Sequence, residues 1–539
     1  MSDTDPLVSK IREKRTKSRE RQAVRSATPS LPWMERLSTR VGVGFLFWAI
    51  TLVLLAIDRL AHGPLDAAYT IVLLGKSTLL LVCLFAAALG LTIIRPGVLS
   101  SISNSILLVL IALVALIPAK LILYTVARTG LFPPEVAPFL IPLPLAPILA
   151  TLLLDGAAGL VVGIWLSLAV CLFADTGLPF FLSGLVATVS SASMAYRART
   201  RARVVRTGLI AGLSQITCVF GLTALNAEHS DVMTVLNQAG ACVSSGFLAA
   251  VFALLVLPAF ESAFRITSDI TMLELSDLSH PLLQRLALEA PGTYHHSLVV
   301  ANLAQAAASE IGANSLLVRV CAYFHDIGKL CKPEFFTENI RANHNPHDRL
   351  PPSMSTLVIT SHIKEGVSLA LHYKMPKPVI DVIREHHGTS LVSYFHNKAK
   401  AQMEFEMAAN GGTSGEPGEV PEWNFRYGGP KPSTPESAII SIADPVEAAS
   451  RSIEKVTSGN IRDLVENVVN VRLEDGQLDD SHLTLDELAR IKKSFVFTLT
   501  SMLHARTPYP RDEDRDKQPP KASPAGPAQA RLPDDAFHG

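Results

Sequence analysis

Residues Cys321–Leu330 read CAYFHDIGKL. An apolar run of helical character delivers two adjacent metal-ligand types, His325 and Asp326; Gly328 then lets the backbone bend, and Lys329 adds a cation. In outline this is the equipment of a hydrolase site. A lone His-Asp pair carries little weight, because most such pairs in a chain of 539 residues are surface or capping groups, so the surroundings decide. They are histidine-rich: of the 16 histidines, 11 fall between His280 and His396, a concentration that asks for a chemical explanation.

Upstream of this region the composition is that of a membrane. The chain is 48% hydrophobic with a mean hydropathy of +0.30, which points to a membrane protein with soluble parts. Eight apolar runs have spanning length: Val41–Ile57, Ile71–Ile94, Ser105–Val126, Val136–Leu154, Ala157–Ala174, Pro179–Tyr196, Thr207–Leu225 and Asn237–Phe260. Each is expected to be helical, since backbone groups in lipid must be satisfied within the segment. The two runs flanking Asp155–Gly156 read alternatively as one long or re-entrant unit, which makes the count seven.

The zero formal net charge hides an asymmetry. Lys and Arg crowd residues 10–25, and five arginines fall between Arg197 and Arg206. Eight spans put the basic arm, the arginine loop and everything after Phe260 on one side, the cytoplasmic one by the positive-inside rule. A nucleic-acid polymer as partner of the basic arm is not expected, because hydrophobic spans follow at once. Lys76 and Lys120 are read as snorkelling to the interface, and no Asp, Glu or His chain crosses the spans, which leaves a transporter little support. Six cysteines, none in a CxxC pair, read as reduced packing residues.

The pattern therefore predicts an all-α protein in five parts: a basic cytoplasmic arm over 1–40, a transmembrane domain over 41–260, amphipathic coupling helices over 261–290, a helical soluble domain over 291–506, and a disordered tail over 507–539. Within the soluble domain a Gly/Pro/Glu-rich stretch near 408–435 reads as a flexible insertion.

Five segments supply the chemistry. PGTYHHSLVV brings His295 and His296, YFHDIGKL brings His325, Asp326 and Lys329, ITSHIKEG brings His362, IREHHG brings His386 and His387, and SIADPVEAASR brings Asp444. All are nitrogen or oxygen ligand types without a thiolate, a set that suits manganese, iron or another borderline divalent metal better than structural zinc. Two metals about 3.5–4 Å apart can neutralise a phosphodiester and activate its nucleophile together. A carboxylate can bridge such a pair and a neutral imidazole cannot, so Asp326 is the natural bridge. Lys329 is in reach of a phosphate oxygen as a point charge. His344, His347, His372 and His396 read as packing or solvent-facing residues.

The strings PGTYHHS, FHDIGK, NPHD, PSMSTLVITSHIKEG, EHHG, FRYGGPKP and ADPVEAASR closely resemble the membrane-anchored HD-superfamily (7TM-HD) phosphodiesterases of the PgpH type, over about Glu261–Leu503. The resemblance implies a polytopic helical membrane domain followed by a cytoplasmic all-helical HD domain, placed in a bacterial plasma (inner) membrane, that hydrolyses cyclic di-AMP to linear pApA. It implies two divalent transition-metal ions, Mn or Fe: His296, His325, Asp326 and Asp444 hold one, and Asp326 also contacts a second that His362, His386 and His387 complete. Catalytic roles fall to Asp326 and Lys329, and substrate contacts to Lys329, Arg426 and Tyr427. His295 is left to pack or hydrogen-bond nearby.

Two departures stand out. The first loop, about Asp58–Tyr69, leaves no room for the extracellular sensor of typical members, and Gly428 stands where Pro is expected. Other readings are hydrolysis of cyclic di-GMP or another nucleotide, a silent nucleotide receptor, or a regulated transporter. The first lacks the GYP motif, and the second would show lost ligands. The expected partners are the cyclic dinucleotide and the bilayer, and the sequence is compatible with a homo-oligomer.

Overall fold

The computed structural model describes residues 32–60, 66–225, 231–340, 345–409 and 420–504. The expected basic arm up to residue 31 and the expected disordered tail lie outside the described residues. Among the described residues there is no strand, only one isolated antiparallel bridge between Leu391 and Arg426.

The membrane part comprises α1 (Pro32–Leu60), α2 (Ala67–Ile94), α3 (Ile102–Thr129), α4 (Leu145–Leu153), α5 (Gly156–Phe173), α6 (Leu178–Ala195), α7 (Arg201–Leu225) and α8 (Val232–Phe264). Seven of these, all but α4, contain a stretch long and apolar enough to cross a bilayer, for which about 20 apolar residues are needed. Asp66, Asp155 and Asp231 start α2, α5 and α8 by accepting hydrogen bonds from backbone N–H groups three residues on.

The fourth apolar run, Val136–Leu154, is not the continuous helix expected of it. Pro138, Pro142, Pro144 and Pro147 remove N–H donors and fix φ. The run folds instead as a 3-10 turn, Ala137–Leu140, and the nine-residue α4, whose length is about 14 Å, half a bilayer core. Irregular backbone at membrane depth must be covered by protein. Every residue of α4 except Leu152 is buried, and the helix packs against α3, α5, α6 and α8.

This broken segment still runs from one end of the helical bundle to the other. At its start the Glu135 carbonyl accepts from Gln238 near the beginning of α8 (3.0 Å), whereas just past its end Asp155 pairs with Arg95 at the end of α2 (3.3 Å). From Asp155 the chain crosses in α5 and returns in α6 to the arginine loop, where Arg201 holds Glu274 beyond the far end of α8. The start of α1, the end of α2, the arginine loop and the soluble domain thus share one face, the sidedness that an even number of crossings gives.

Neither expected snorkelling lysine stands free. Lys76 donates to the Leu172 carbonyl (3.0 Å) and pairs with Asp175, and Lys120 is 7% exposed, 5.5 Å from the centroid of the Phe173 ring. α7 and α8 meet through glycine: a Cβ on Gly208 would lie 2.2 Å from the Gly246 carbonyl oxygen, so only glycine allows these two backbones to touch.

α8 leads into the coupling region. Its Glu261 carboxylate accepts from the Ser268 N–H (2.7 Å) and the Thr271 hydroxyl (3.0 Å), which fixes α9 (Asp269–Leu275). Arg201 grips Glu274 of α9 with two nitrogens, at 2.8 and 3.2 Å. α9 belongs to both cores: Ile270 packs into the membrane cluster and Met272 into the soluble one.

The soluble core gathers α10 (Pro281–Glu289), α11 (Pro291–Ile311), α12 (Ser315–Phe324), α13 (Pro352–His372), α14 (Lys377–Glu385), α16 (Pro435–Ser450), α17 (Ser458–Glu474) and α18 (Leu485–His504), while α15 (Ser393–Ala409) lies on its surface. The expected insertion is only partly set apart. Residues 410–419 fall outside the described residues, but 420–435 are folded in: Phe425 is buried, the Tyr427 N–H donates to the Ser390 carbonyl (3.0 Å), and Ser433 donates twice to Glu385. Hydrogen bonds rather than apolar side chains hold this stretch, which is why its composition reads as loop. All six cysteines are free; Cys321 is buried in the core, whereas Cys331 is exposed rather than a packing residue.

Candidate metal centre

Five helices bring the expected ligands together. His296 lies in the second turn of α11, His325 and Asp326 follow the end of α12, His362 is midway along α13, His386 and His387 follow α14, and Asp444 precedes Pro445 in α16. The turn Ile327–Cys331 after Asp326 packs directly on α13. A Cβ on Gly328 would sit 1.8 Å from the His362 carbonyl oxygen, so glycine is what lets Asp326 approach His362.

Asp326 is the centre of the arrangement. It is 1% exposed, and its two oxygens face different histidines. Oδ2 lies 3.3 Å from His325 Nε2 and 3.6 Å from His296 Nε2; Oδ1 lies 3.4 Å from His362 Nε2 and 3.6 Å from His386 Nε2. Asp444 adds Oδ1 at 3.1 Å from His296 Nε2 and Oδ2 at 3.5 Å from His387 Nδ1. The donors form two sets that share Asp326: His296, His325, Asp326 and Asp444, and Asp326, His362, His386 and His387. Within each set the donor atoms lie within 4.8 Å of one another.

The imidazoles are held so that one nitrogen points inward. Nδ1 of His325 meets the Ala322 carbonyl (2.8 Å), that of His362 the Ile359 carbonyl (2.6 Å), and that of His386 the Ile383 carbonyl (3.0 Å). His296 uses the Glu447 carboxylate instead (2.5 Å), which Arg451 grips in turn (2.9 Å). With Nδ1 occupied, Nε2 is the free donor, the usual way a protein fixes a ligating tautomer.

Electrostatics prepares the same groups. Burial opposes charge on Asp326, but Lys329 and His325 beside it outweigh that and hold its carboxyl well below the usual range. Asp444 is buried too, and its hydrogen bond with His296 and the nearby His387 likewise keep it ionised. Burial pushes His362 down to about 4, with only partial opposition from Asp326, and pushes His387 well down, so both are neutral ligand types at pH 7. Burial also acts against His296, but Asp444 and Glu447 lift it to about 9.

His325 Nε2 and Asp326 Oδ1 are buried without a hydrogen-bond partner. Such atoms are seldom left unpaired in a folded core. Their convergence with neutral imidazoles and ionised carboxylates, and without a thiolate, fits a divalent cation.

The remaining expectations divide. Lys329 is at the cluster, but its ammonium is held by Asp326 Oδ2 and Glu338 Oε1, each at 2.8 Å, and lies 5.0 Å from the Phe336 ring centroid. Arg426 is committed elsewhere, to Glu422 (2.8 Å), Asp475 (2.9 Å) and the Thr389 carbonyl (3.0 Å). Tyr427 stacks on His387 at 4.3 Å between centroids. His295 is exposed and in neither donor set. His347 and His396 are buried against Phe335 and Phe425, and His344 lies outside the described residues. Glu447, at His296, and Glu338, at Lys329, are the side chains beside the cluster that sequence reading passed over.

Two family profiles match this chain in the order of its two parts. Residues 70–268 match a family described as a 7TM receptor with intracellular HD hydrolase, and residues 293–449 match the HD domain. In both parts the chain is similar to 7TM-HD proteins. Among curated relatives, the cyclic-di-AMP phosphodiesterase PgpH of Listeria monocytogenes serotype 1/2a (strain 10403S) is 36% identical over 380 residues, covering 70% of this chain and 51% of that one. The PgpH of Bacillus subtilis (strain 168) is 38% identical over 331 residues, covering 60% and 44%. The chain spans about half the length of these relatives. The crystal structure of the L. monocytogenes PgpH HD domain in complex with cyclic di-AMP is 43% identical and covers 42% of this chain and 99% of that chain, with a TM-score of 0.39.

Proposed function

We propose that this protein is a two-metal phosphodiesterase that opens a cyclic dinucleotide, cyclic di-AMP, to linear pApA. The observation that carries the reading is the shared carboxylate: Asp326 turns one oxygen to His296 and His325 and the other to His362 and His386. The relatives named as cyclic-di-AMP phosphodiesterases support the substrate.

His296, His325, Asp326 and Asp444 would hold one ion, and Asp326, His362, His386 and His387 the other. The nitrogen and oxygen donors favour Mn or Fe. When bound, such a pair supplies positive charge against the phosphate and an acidified water as nucleophile. The chain's own residues do the rest. Glu447 and the helix carbonyls fix the imidazole orientations, Lys329 keeps Asp326 ionised and sets a cation at its edge, and Tyr427 closes one wall over His387. The arginine loop lies on the same face as the soluble domain, which supports a cytoplasmic site in a bacterial plasma membrane.

The full chain in detergent, loaded with Mn²⁺ or Fe²⁺ and given a panel of cyclic dinucleotides, should linearise cyclic di-AMP. Asp326→Ala should abolish this. Equal activity of that variant would refute the bridging role.

A further inference from the structure

Beside the ligand cluster a cavity of about 390 Å³ opens between α13, α14 and the loop at 426–429, within the range of about 300–1,000 Å³ typical of small-molecule sites. Thr360, Ile363, Lys364 and Val367 line it from one face of α13, and Arg384 and His387 from the end of α14 and the turn beyond. His387 is thus both a wall of the cavity and a member of the ligand cluster. A phosphate held at the cluster has this cavity as its neighbour.

The charges around it are not equivalent. Arg426 lines the cavity but is neutralised by Glu422 and Asp475, and Lys329 is neutralised by Asp326 and Glu338. Lys364 and Arg384 are exposed and make no ion pair or hydrogen bond among the described residues. They are the cavity's two uncommitted cations. Between them and the cluster the wall is apolar or bare backbone, formed by Ile363, Val367 and the glycines at 388, 428 and 429. Such a surface accepts the flat face of a base.

A simple phosphodiester needs only the ligand cluster. A cyclic dinucleotide carries a second phosphate across its ring from the scissile one, and that group needs a cation outside the cluster. We propose that Lys364 and Arg384 bind the non-scissile phosphate of the cyclic dinucleotide and so determine its selection over simple diesters. This rests on the phosphodiesterase reading of the cluster.

The test compares two substrates on the metal-loaded full chain: cyclic di-AMP, and bis(p-nitrophenyl) phosphate, which has one phosphate. Lys364→Ala and Arg384→Ala should each raise KM for cyclic di-AMP about tenfold, as loss of a charge-assisted contact does, with kcat within about twofold. Both should leave kcat/KM for bis(p-nitrophenyl) phosphate unchanged, and Lys364→Arg should restore most of the lost affinity. An unchanged KM for cyclic di-AMP in the double variant would overturn the proposal, and so would parallel loss on both substrates. A wild-type chain that cleaves the simple diester and no cyclic dinucleotide would instead refute the function on which the proposal rests.

Discussion

Gly328→Ala tests the assembly of the site at its tightest point. The added Cβ would lie 1.8 Å from the His362 carbonyl oxygen, 2.5 Å from the Gly366 nitrogen and 2.8 Å from the His362 carbonyl carbon. All three are backbone atoms of α13, so no side chain can swing aside. Ordinary contact begins near 3.4 Å, and the difference from 1.8 Å, about 1.6 Å, must come from moving the turn Ile327–Cys331 away from α13. Overpacking of this kind costs about 1–3 kcal/mol, which the soluble core can absorb. The site cannot absorb it as easily. Asp326 rides on the displaced turn, so its 3.4 Å approach to His362 is lost, while His325 moves with it and keeps its 3.3 Å contact. The variant should therefore bind one metal per chain near wild-type affinity and the second weakly, and kcat for cyclic di-AMP should fall about a hundredfold, as ångström-scale misplacement does. Metal content after gel filtration, read by elemental analysis alongside turnover, checks this. Two tightly held metals with wild-type turnover would refute the reasoning.

Glu447→Gln removes the carboxylate that orients His296, and metal affinity, read by competition with a chelating dye, should drop about 10–100-fold. Glu338→Gln leaves Lys329 paired with Asp326 alone; kcat should fall about tenfold with KM nearly unchanged, since the ammonium loses its fixed position and not its charge. Gly208→Ala pushes a Cβ against the Gly246 carbonyl and should destabilise the membrane bundle by about 1–3 kcal/mol, seen as a lower thermal midpoint in detergent. Gly221→Ala on the same helix, with nothing within 4 Å of the new Cβ, should be neutral.

The clustered residues were legible because their chemistry is local: adjacent His-Asp and His-His pairs at helix ends announce themselves without any knowledge of the fold. Glu447 could have been found as well, three residues after Asp444 on the same helical face. Glu338 could not, because it follows a string of short 3-10 turns that has no period to read. The fourth span misled for a different reason. Hydropathy sums apolar character and is blind to backbone geometry, so Val136–Leu154 scores as a span while its prolines forbid a continuous helix. The pairing of Arg426 was only half legible, because its partners come from two places: Glu422, only four residues earlier, and Asp475, which tertiary folding alone brings near.

The site divides into two parts with separate supports. His296, His325 and Asp444 stand on α11, α12 and α16, which pack on one another; His362, His386 and His387 stand on α13 and the turn after α14. Asp326, on the turn between α12 and α13, joins them. The coupling region meets the site at this same place. α9, held to the last membrane helix by Glu261, packs on α12; α10 packs on the Ile327–Cys331 turn, and the ring of His280 just before it lies 5.2 Å from that of Phe324, next to His325. A shift carried along α9 and α10 therefore acts first on the shared carboxylate. Because His325 rides with Asp326, a shift of this turn away from α13 keeps their 3.3 Å contact and opens the set that His362, His386 and His387 complete, the same opening that Gly328→Ala imposes from within the turn.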